Sequence, residues 1–114
     1  MRQFVEIALF TDDVAATREF YEPLLEAGPE AEWPGGAVYA VGELKLLVHE
    51  RAGGSEAGPA NEDHVALGVP DLDQACDELR ERGFSFLVEP RDYYWGRSAY
   101  LRDPDGRIVE LSQA

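Results

Sequence analysis

The sequence is poor in cysteine, in basic residues and in long apolar runs, and each shortage excludes a class of protein. Cys76 is the single cysteine among 114 residues, which excludes an internal disulfide and a cysteine-based zinc site. No stretch approaches the roughly 20 apolar residues that a membrane span requires. Ten Lys and Arg against 23 Asp and Glu give a net charge of −13, which opposes binding to nucleic acid phosphates. We therefore expect a cytoplasmic protein that binds neither nucleic acid nor membrane.

The composition that remains is typical of one folded domain. Hydrophobic residues make up 45% and charged residues 29% of the chain, and the length suits a single compact domain over residues 1–114. The acidic balance would attract metal cations and basic small molecules, although it could equally serve solubility alone.

Both halves of the chain carry the same order of predicted elements. In the first module, residues 1–52, we expect a strand at 4–10, a helix from Asp13 to about Leu25 that Pro23 loosens, and strands at 37–41 and 44–50. In the second module, residues 63–114, we expect a strand at 64–69, a helix at 71–82, and strands at 84–89, 98–102 and 107–111. Residues 53–62, rich in glycine, read as a linker.

An internal repeat joins these two modules. The segment Glu6-Ile7-Ala8-Leu9 aligns with His64-Val65-Ala66-Leu67 at an offset of 58 residues. One such module cannot cover its own sheet, so two should share one. The predicted fold class is α+β, with two tandem βαβββ modules forming a curved mixed sheet.

Strand alternation predicts that several metal-binding side chains share one face of this sheet. If Val5, Ile7 and Leu9 lie under the helices, Glu6 and His64 point the other way, and Glu110 joins them. The side chain of His49 lies on the same face only if the strand at 44–50 keeps its register with its neighbour. Each residue alone could be structural, but together they form a nitrogen and oxygen ligand set suited to a first-row divalent metal.

The sequence resembles the vicinal oxygen chelate superfamily, which includes glyoxalases, bleomycin resistance proteins and extradiol dioxygenases. The matching segments are Asp12-Asp13-Val14 through Leu24-Leu25, His64-Val65-Ala66-Leu67 through Asp71-Leu72, and Trp95-Gly96-Arg97 through Arg102-Asp103-Pro104-Asp105-Gly106 to Glu110-Leu111. The resemblance implies a concave cup, usually in a homodimer, with metal ligands at Glu6, His64 and Glu110.

The resemblance also implies two alternative functions. The first is an enzyme that uses Ni, Zn, Mn or Fe on a small oxygen-bearing substrate, with Glu6 or Glu110 as the catalytic base. The second is metal-free binding of cationic antibiotics similar to bleomycin, with resistance as the outcome. In either case we expect Tyr39, Trp95, Arg97 and Tyr100 to contact the ligand. The sequence departs from the family pattern in having Glu6 where His or Gln is common, and in lacking an acidic residue in the middle of strand 44–50.

Overall fold

A computed structural model describes residues 1–51 and 58–114. The elements of the first half are β1 (Gln3–Thr11), α1 (Val14–Leu25), β2 (Ala31–Trp33), β3 (Gly36–Val41) and β4 (Leu44–Glu50). Those of the second half are β5 (His64–Val69), α2 (Leu72–Glu81), β6 (Val88–Tyr93), β7 (Gly96–Arg102) and β8 (Ile108–Gln113). The predicted α+β class with a βαβββ order in each half is confirmed, and β2 is the strand of the first half that the predicted ranges omit. In the described ranges, no helix is both long and apolar enough to cross a bilayer.

All eight strands form one mixed sheet with the order β2-β3-β4-β1-β5-β8-β7-β6. The two halves join where β1 pairs antiparallel with β5, and we call this pair the seam. On either side of the seam, β1 pairs parallel with β4 and β5 pairs parallel with β8. The central strands of the sheet therefore come from both halves of the chain.

Both helices pack on the same face of the sheet, α1 over β3 and β4 and α2 over β6, β7 and β8. Beneath α1 lies an apolar cluster that includes Tyr39 and Val48, and beneath α2 lies another that includes Val69 and Leu111. Cys76 is buried in the second cluster, as its apolar pattern predicts. Both helices begin as predicted, because the side chain of an aspartate accepts a hydrogen bond from the third following backbone N–H at Asp13 and at Asp71.

The helix α1 ends at Leu25, as predicted. Pro23 lies inside the helix, which continues to Leu25 without breaking at the proline. Glu26 then adopts a left-handed conformation with φ of 54° and returns its backbone N–H to the carbonyl of Glu22. This left-handed residue closes the helix. Because Glu26 closes the helix only three residues beyond the proline, little helix remains for Pro23 to disturb.

The predicted strand at 84–89 is wrong for most of its length. The observed strand is Val88–Tyr93, and Phe84 and Leu87 before it are exposed. The apolar run instead packs Phe86 against the α2 cluster. Pro90 is tolerated in β6 because this strand is at the edge of the sheet, where one side needs no backbone donor.

Two further segments connect strands of the sheet, one between β4 and β5 and one between β7 and β8. Residues 53–57 of the predicted linker lie outside the described residues, and Pro59–Asn61 forms a short 3-10 turn. A tight turn at Asp103-Pro104-Asp105-Gly106 joins β7 to β8. There Asp103 accepts hydrogen bonds from the backbone N–H groups of Asp105 and Arg107, and Gly106 takes a positive φ of 89°.

Candidate functional site

Three ionisable side chains converge on the concave face across the seam. Glu6 comes from β1, His64 from β5 and Glu110 from β8, and one potential ligand atom from each lies within 4.8 Å of the others. The sheet register explains this, because Ala66 pairs with both Glu6 and Glu110, while His64 pairs with Ala8. Two small alanines on the floor leave room for the three longer side chains above them.

A β-bulge in β1 helps to aim Glu6 into this group. The pairing with β5 shifts register between Phe4 and Glu6, which is the signature of an extra residue in one strand. As a consequence Val5 does not follow the prediction that it lies under the helices. Its Cγ1 atom lies 3.0 Å from the position that a Cβ atom at Gly68 would occupy. Simple alternation therefore fails for Val5 but holds from Glu6 onwards.

Hydrogen bonds hold two of the three side chains in place. His64 Nδ1 lies 2.6 Å from the carbonyl oxygen of Glu62, and His64 Nε2 lies 2.9 Å from Glu110 Oε1. Ser98 Oγ donates to the other oxygen of Glu110, Oε2, at 2.6 Å. His64 and Glu110 are both buried, at 7% and 5% exposure, so this network is shielded from bulk water.

The electrostatics favour the capture of a cation. Burial raises the pKa of Glu6, and the charge of Glu110 raises it further, against a smaller lowering by His64. Burial lowers the pKa of His64, but its hydrogen bonds to Glu110 and Glu62, with the nearby carboxylates, outweigh that effect and raise the pKa overall. Two desolvated carboxylates facing one imidazole are thus short of positive charge, which a divalent ion would supply. The donor set fits such an ion.

A series of aromatic rings crosses the concave face through this site. Trp95 stacks on Tyr93 at 4.4 Å between ring centroids, and Tyr93 meets the edge of Tyr100 at 6.0 Å. Tyr100 in turn lies 5.8 Å from the ring of His64, and Phe10 stacks on the other side of His64 at 6.0 Å. The rings form an apolar, polarisable wall around the carboxylates.

The structure divides the other predicted site residues between the two faces. Tyr100 lies in the cup, and Trp95 stands at its rim, 47% exposed. His49 is on the cup face, but Phe10 lies between its ring and that of His64, and it is not among the three residues that converge.

Tyr39 and Arg97 lie on the helix face, so neither reaches the cup of its own chain. Tyr39 donates a hydrogen bond to Glu22 of α1 at 2.6 Å, and Arg97 pairs with Asp73 of α2 at 2.9 Å. The reason is alternation: Tyr39 pairs with the buried Leu46, and Arg97 precedes the cup-facing Ser98. Contrary to the prediction that both contact a ligand in the cup, Tyr39 and Arg97 lie on the opposite face of the sheet.

A family model described as "Glyoxalase/Bleomycin resistance protein/Dioxygenase superfamily" matches residues 3–111. The chain belongs to this superfamily. Its members share the sheet and cup described above, and the predicted family resemblance is confirmed.

Individual superfamily relatives are similar over different lengths. A segment of 52 residues is 40% identical to the "Probable lactoylglutathione lyase" of Synechocystis sp., covering 44% of this chain and 40% of that protein. The chain thus matches well under half the length of this relative. A virulence protein of Salmonella typhimurium is 25% identical over 94% of this chain and 81% of its own. The crystal structure of methylmalonyl-CoA epimerase from Mycobacterium tuberculosis superposes with a TM-score of 0.76 at 19% identity, covering 96% of this chain and 86% of that one.

Ser98 is a residue of the site that was not predicted from the sequence. It contacts Glu110 from the neighbouring strand and is fully buried. The signal was present, because the alternation that places Glu110 in the cup also places Ser98 and Tyr100 there, two residues apart on β7.

Proposed function

We propose that this superfamily member is a divalent-metal-dependent enzyme acting on a small oxygen-bearing substrate in the cup. The observation that carries the proposal is the convergence of Glu6, His64 and Glu110 within 4.8 Å on a buried sheet face. One imidazole and two carboxylates suit Ni²⁺, Zn²⁺, Mn²⁺ or Fe²⁺, and three protein ligands leave positions for substrate oxygens. All three residues come from a single chain.

The residues of the cup have separate tasks in such a reaction. His64 would bind the ion through Nε2 and Glu110 through Oε1, and the ion would polarise a substrate oxygen. A carboxylate, Glu6 or Glu110, would accept a proton from the carbon beside the carbonyl group that bears this oxygen, and would return it to that carbon or to its neighbour. Burial and the nearby charge of Glu110 hold the pKa of Tyr100 far above its ordinary range, so its phenol stays neutral beside the site. The aromatic wall keeps water away from the exchanged proton.

The names of the relatives suggest which probes to use. Lactoylglutathione and methylmalonyl-CoA, in the names of the Synechocystis protein and the epimerase, are both acyl thioesters with a hydrogen on the carbon beside the carbonyl. We therefore expect the reaction class to be proton transfer at such a carbon.

The experiment combines metal analysis with hydrogen exchange. Purified protein is analysed for metal and reconstituted with each candidate ion. It is then incubated in D₂O with methylmalonyl-CoA and, separately, with the hemithioacetal that glutathione forms with methylglyoxal. We expect about one ion per chain and deuterium uptake or product formation with one probe, both lost in Glu110→Gln. A chain that binds none of the four ions overturns the proposal.

A second function, metal-free binding of a planar cationic molecule, is supported by the aromatic wall and by the net charge of −13. Rings and acidic groups together attract flat cations. Titration with bleomycin in excess EDTA, followed through the fluorescence of Trp33 and Trp95, separates the two functions. Saturable quenching without metal favours the binding protein, and its absence favours the enzyme.

We also propose a homodimer formed through the helix face of the seam. Across the sheet, Leu46, Ile7, Val65, Val109 and Leu101 form one row of paired residues. The helices bury the two outer leucines, whereas Ile7 in the middle is 38% exposed. A groove of about 660 Å³ is lined by Ile7, Val65 and Val109, and also by residues of the loops around Asp63 and Asp103. A second copy would cover this row, and light scattering should show a dimer that Ile7→Lys converts to monomer.

A further inference from the structure

Ser98 differs from the other serines near the cup in being fully buried and in contact with a candidate ligand. Its Oγ lies 2.6 Å from Glu110 Oε2. An ionised carboxylate can only accept hydrogen bonds, so the hydroxyl proton of Ser98 points at Oε2. A bond to a charged acceptor at this distance is among the stronger hydrogen bonds in proteins. The two oxygens of Glu110 are therefore not equivalent.

The remaining oxygen of Glu110 faces the centre of the site. Oε1 lies 2.9 Å from His64 Nε2. The carbonyl of Glu62 accepts from His64 Nδ1 at 2.6 Å, so Nδ1 carries a proton and Nε2 is the nitrogen that a metal would bind. Glu110 and His64 are thus each held from behind, Glu110 by Ser98 and His64 by Glu62.

Glu6 has no comparable support. Among residues 1–51 and 58–114, no hydrogen bond reaches its carboxylate, and it is more exposed than the other two. The two glutamates therefore differ in support: the Glu110 carboxylate is hydrogen-bonded to two neighbours, whereas no hydrogen bond among the described residues holds the Glu6 carboxylate.

We propose that Ser98 is a positioning residue that commits Glu110 to bind metal through Oε1 alone and leaves Glu6 as the mobile carboxylate that transfers the proton. This assignment rests on the proposed metal-dependent function. Without the donor, Oε2 would be free to turn toward the ion, which would change both the affinity and the number of coordinating atoms. Glu110 would then no longer be limited to one ligand atom.

The test uses Co²⁺ as a coloured probe ion and requires no substrate. The Co²⁺ Kd and the visible absorption spectrum are measured for wild type, Ser98→Ala, Ser98→Thr and Ser112→Ala. We expect Ser98→Ala to raise the Kd about 10–100-fold, as loss of a hydrogen bond to a metal ligand typically does, and to alter the band positions and intensities. Ser98→Thr keeps the hydroxyl and should restore both. Ser112 pairs with Ser98 across β7 and β8 but makes no side-chain hydrogen bond among the described residues, so Ser112→Ala should match wild type.

Glu6→Gln and Glu110→Gln complete the comparison. The fixed ligand should matter more for affinity, so Glu110→Gln should weaken Co²⁺ binding more than Glu6→Gln. Ser98→Ala with the Kd and spectrum of wild type would overturn the role of Ser98 while leaving the metal-dependent function standing. A wild-type protein that binds no Co²⁺ and none of the other four ions would overturn both. If Ser98→Ala does not fold, Ser98→Cys keeps the side-chain volume with a weaker donor and is expected to weaken binding in the same direction.

Discussion

Replacing His64 by alanine tests the proposed site through stability rather than through an unknown reaction. An ion that binds only the folded state stabilises it by about 2.7 kcal/mol when present at about 100 times its Kd. For a chain of 114 residues, the entropy of unfolding near 60 °C is roughly 0.24 kcal/mol/K. The melting temperature of wild-type protein should therefore rise by about 11 °C on saturation.

The same relation predicts how much of this metal-induced stabilisation is lost in His64→Ala. Removing a group that merely supports a metal ligand weakens binding by about 10–100-fold, so loss of the imidazole ligand should reach at least the upper figure. At the metal concentration used for wild type, His64→Ala would then gain only about 0.4 kcal/mol, or roughly 2 °C. Each protein is compared with its own EDTA-treated form, which removes the direct effect of the substitution on folding.

The matched control is His49→Ala. His49 lies on the same face of the sheet, but its ring contacts Phe10 and Trp33 and not the three convergent residues. Differential scanning fluorimetry with Ni²⁺, Zn²⁺ and Mn²⁺ should show the full shift in His49→Ala. A full shift in His64→Ala, or its loss in His49→Ala, would refute the assignment of ligands.

Three further predictions concern stability and ligand binding. Gly36→Ala should lower the free energy of unfolding by about 1–3 kcal/mol in urea, because the new methyl group would collide with the backbone carbonyl of Val48, whereas Gly28→Ala, with open space around it, should have little effect. Asp13→Ala should cost about 1 kcal/mol through loss of the helix cap, and an unchanged urea midpoint would contradict that role. Trp95→Ala should weaken binding of a planar ligand by about 0.5–1.5 kcal/mol in a calorimetric titration, and equal affinity would place the ligand away from the rim.

The sequence carried enough information for the repeat and for the residues that converge. Alternation alone places Glu6, His64 and Glu110 on one face, and the internal repeat implies that the first strands of the two modules are equivalent. The turn at Asp103 to Gly106 and both aspartate caps follow from local chemistry that acts within a few residues. Such features are predictable because their partners are close in sequence.

The errors arose where distant partners decide the outcome. Tyr39 faces the helix because it pairs with the buried Leu46, and this pairing joins two different strands, β3 and β4. The apolar residues from Phe84 to Leu87 suit a strand, but the main-chain pairing with β7 begins only at Val88. The bulge that turns Val5 leaves no mark in a single sequence, because it depends on how β1 meets β5.

The seam explains how one short chain brings its three candidate ligands together. In an antiparallel pair, two equivalent strands are related by a local twofold axis, so residues at equivalent positions of the repeat lie close on the same face. Glu6 and His64 occupy such positions, and Glu110 is brought beside them by the parallel pairing of β5 with β8. The equivalent pairing on the other side brings Leu47 beside Ala8, at the position that corresponds to Glu110 beside Ala66, so the first half has no carboxylate there. The two halves thus share a fold but contribute unequally, with one candidate ligand from the first module and two from the second. Of these, Glu6 is the one whose carboxylate has no hydrogen bond among residues 1–51 and 58–114.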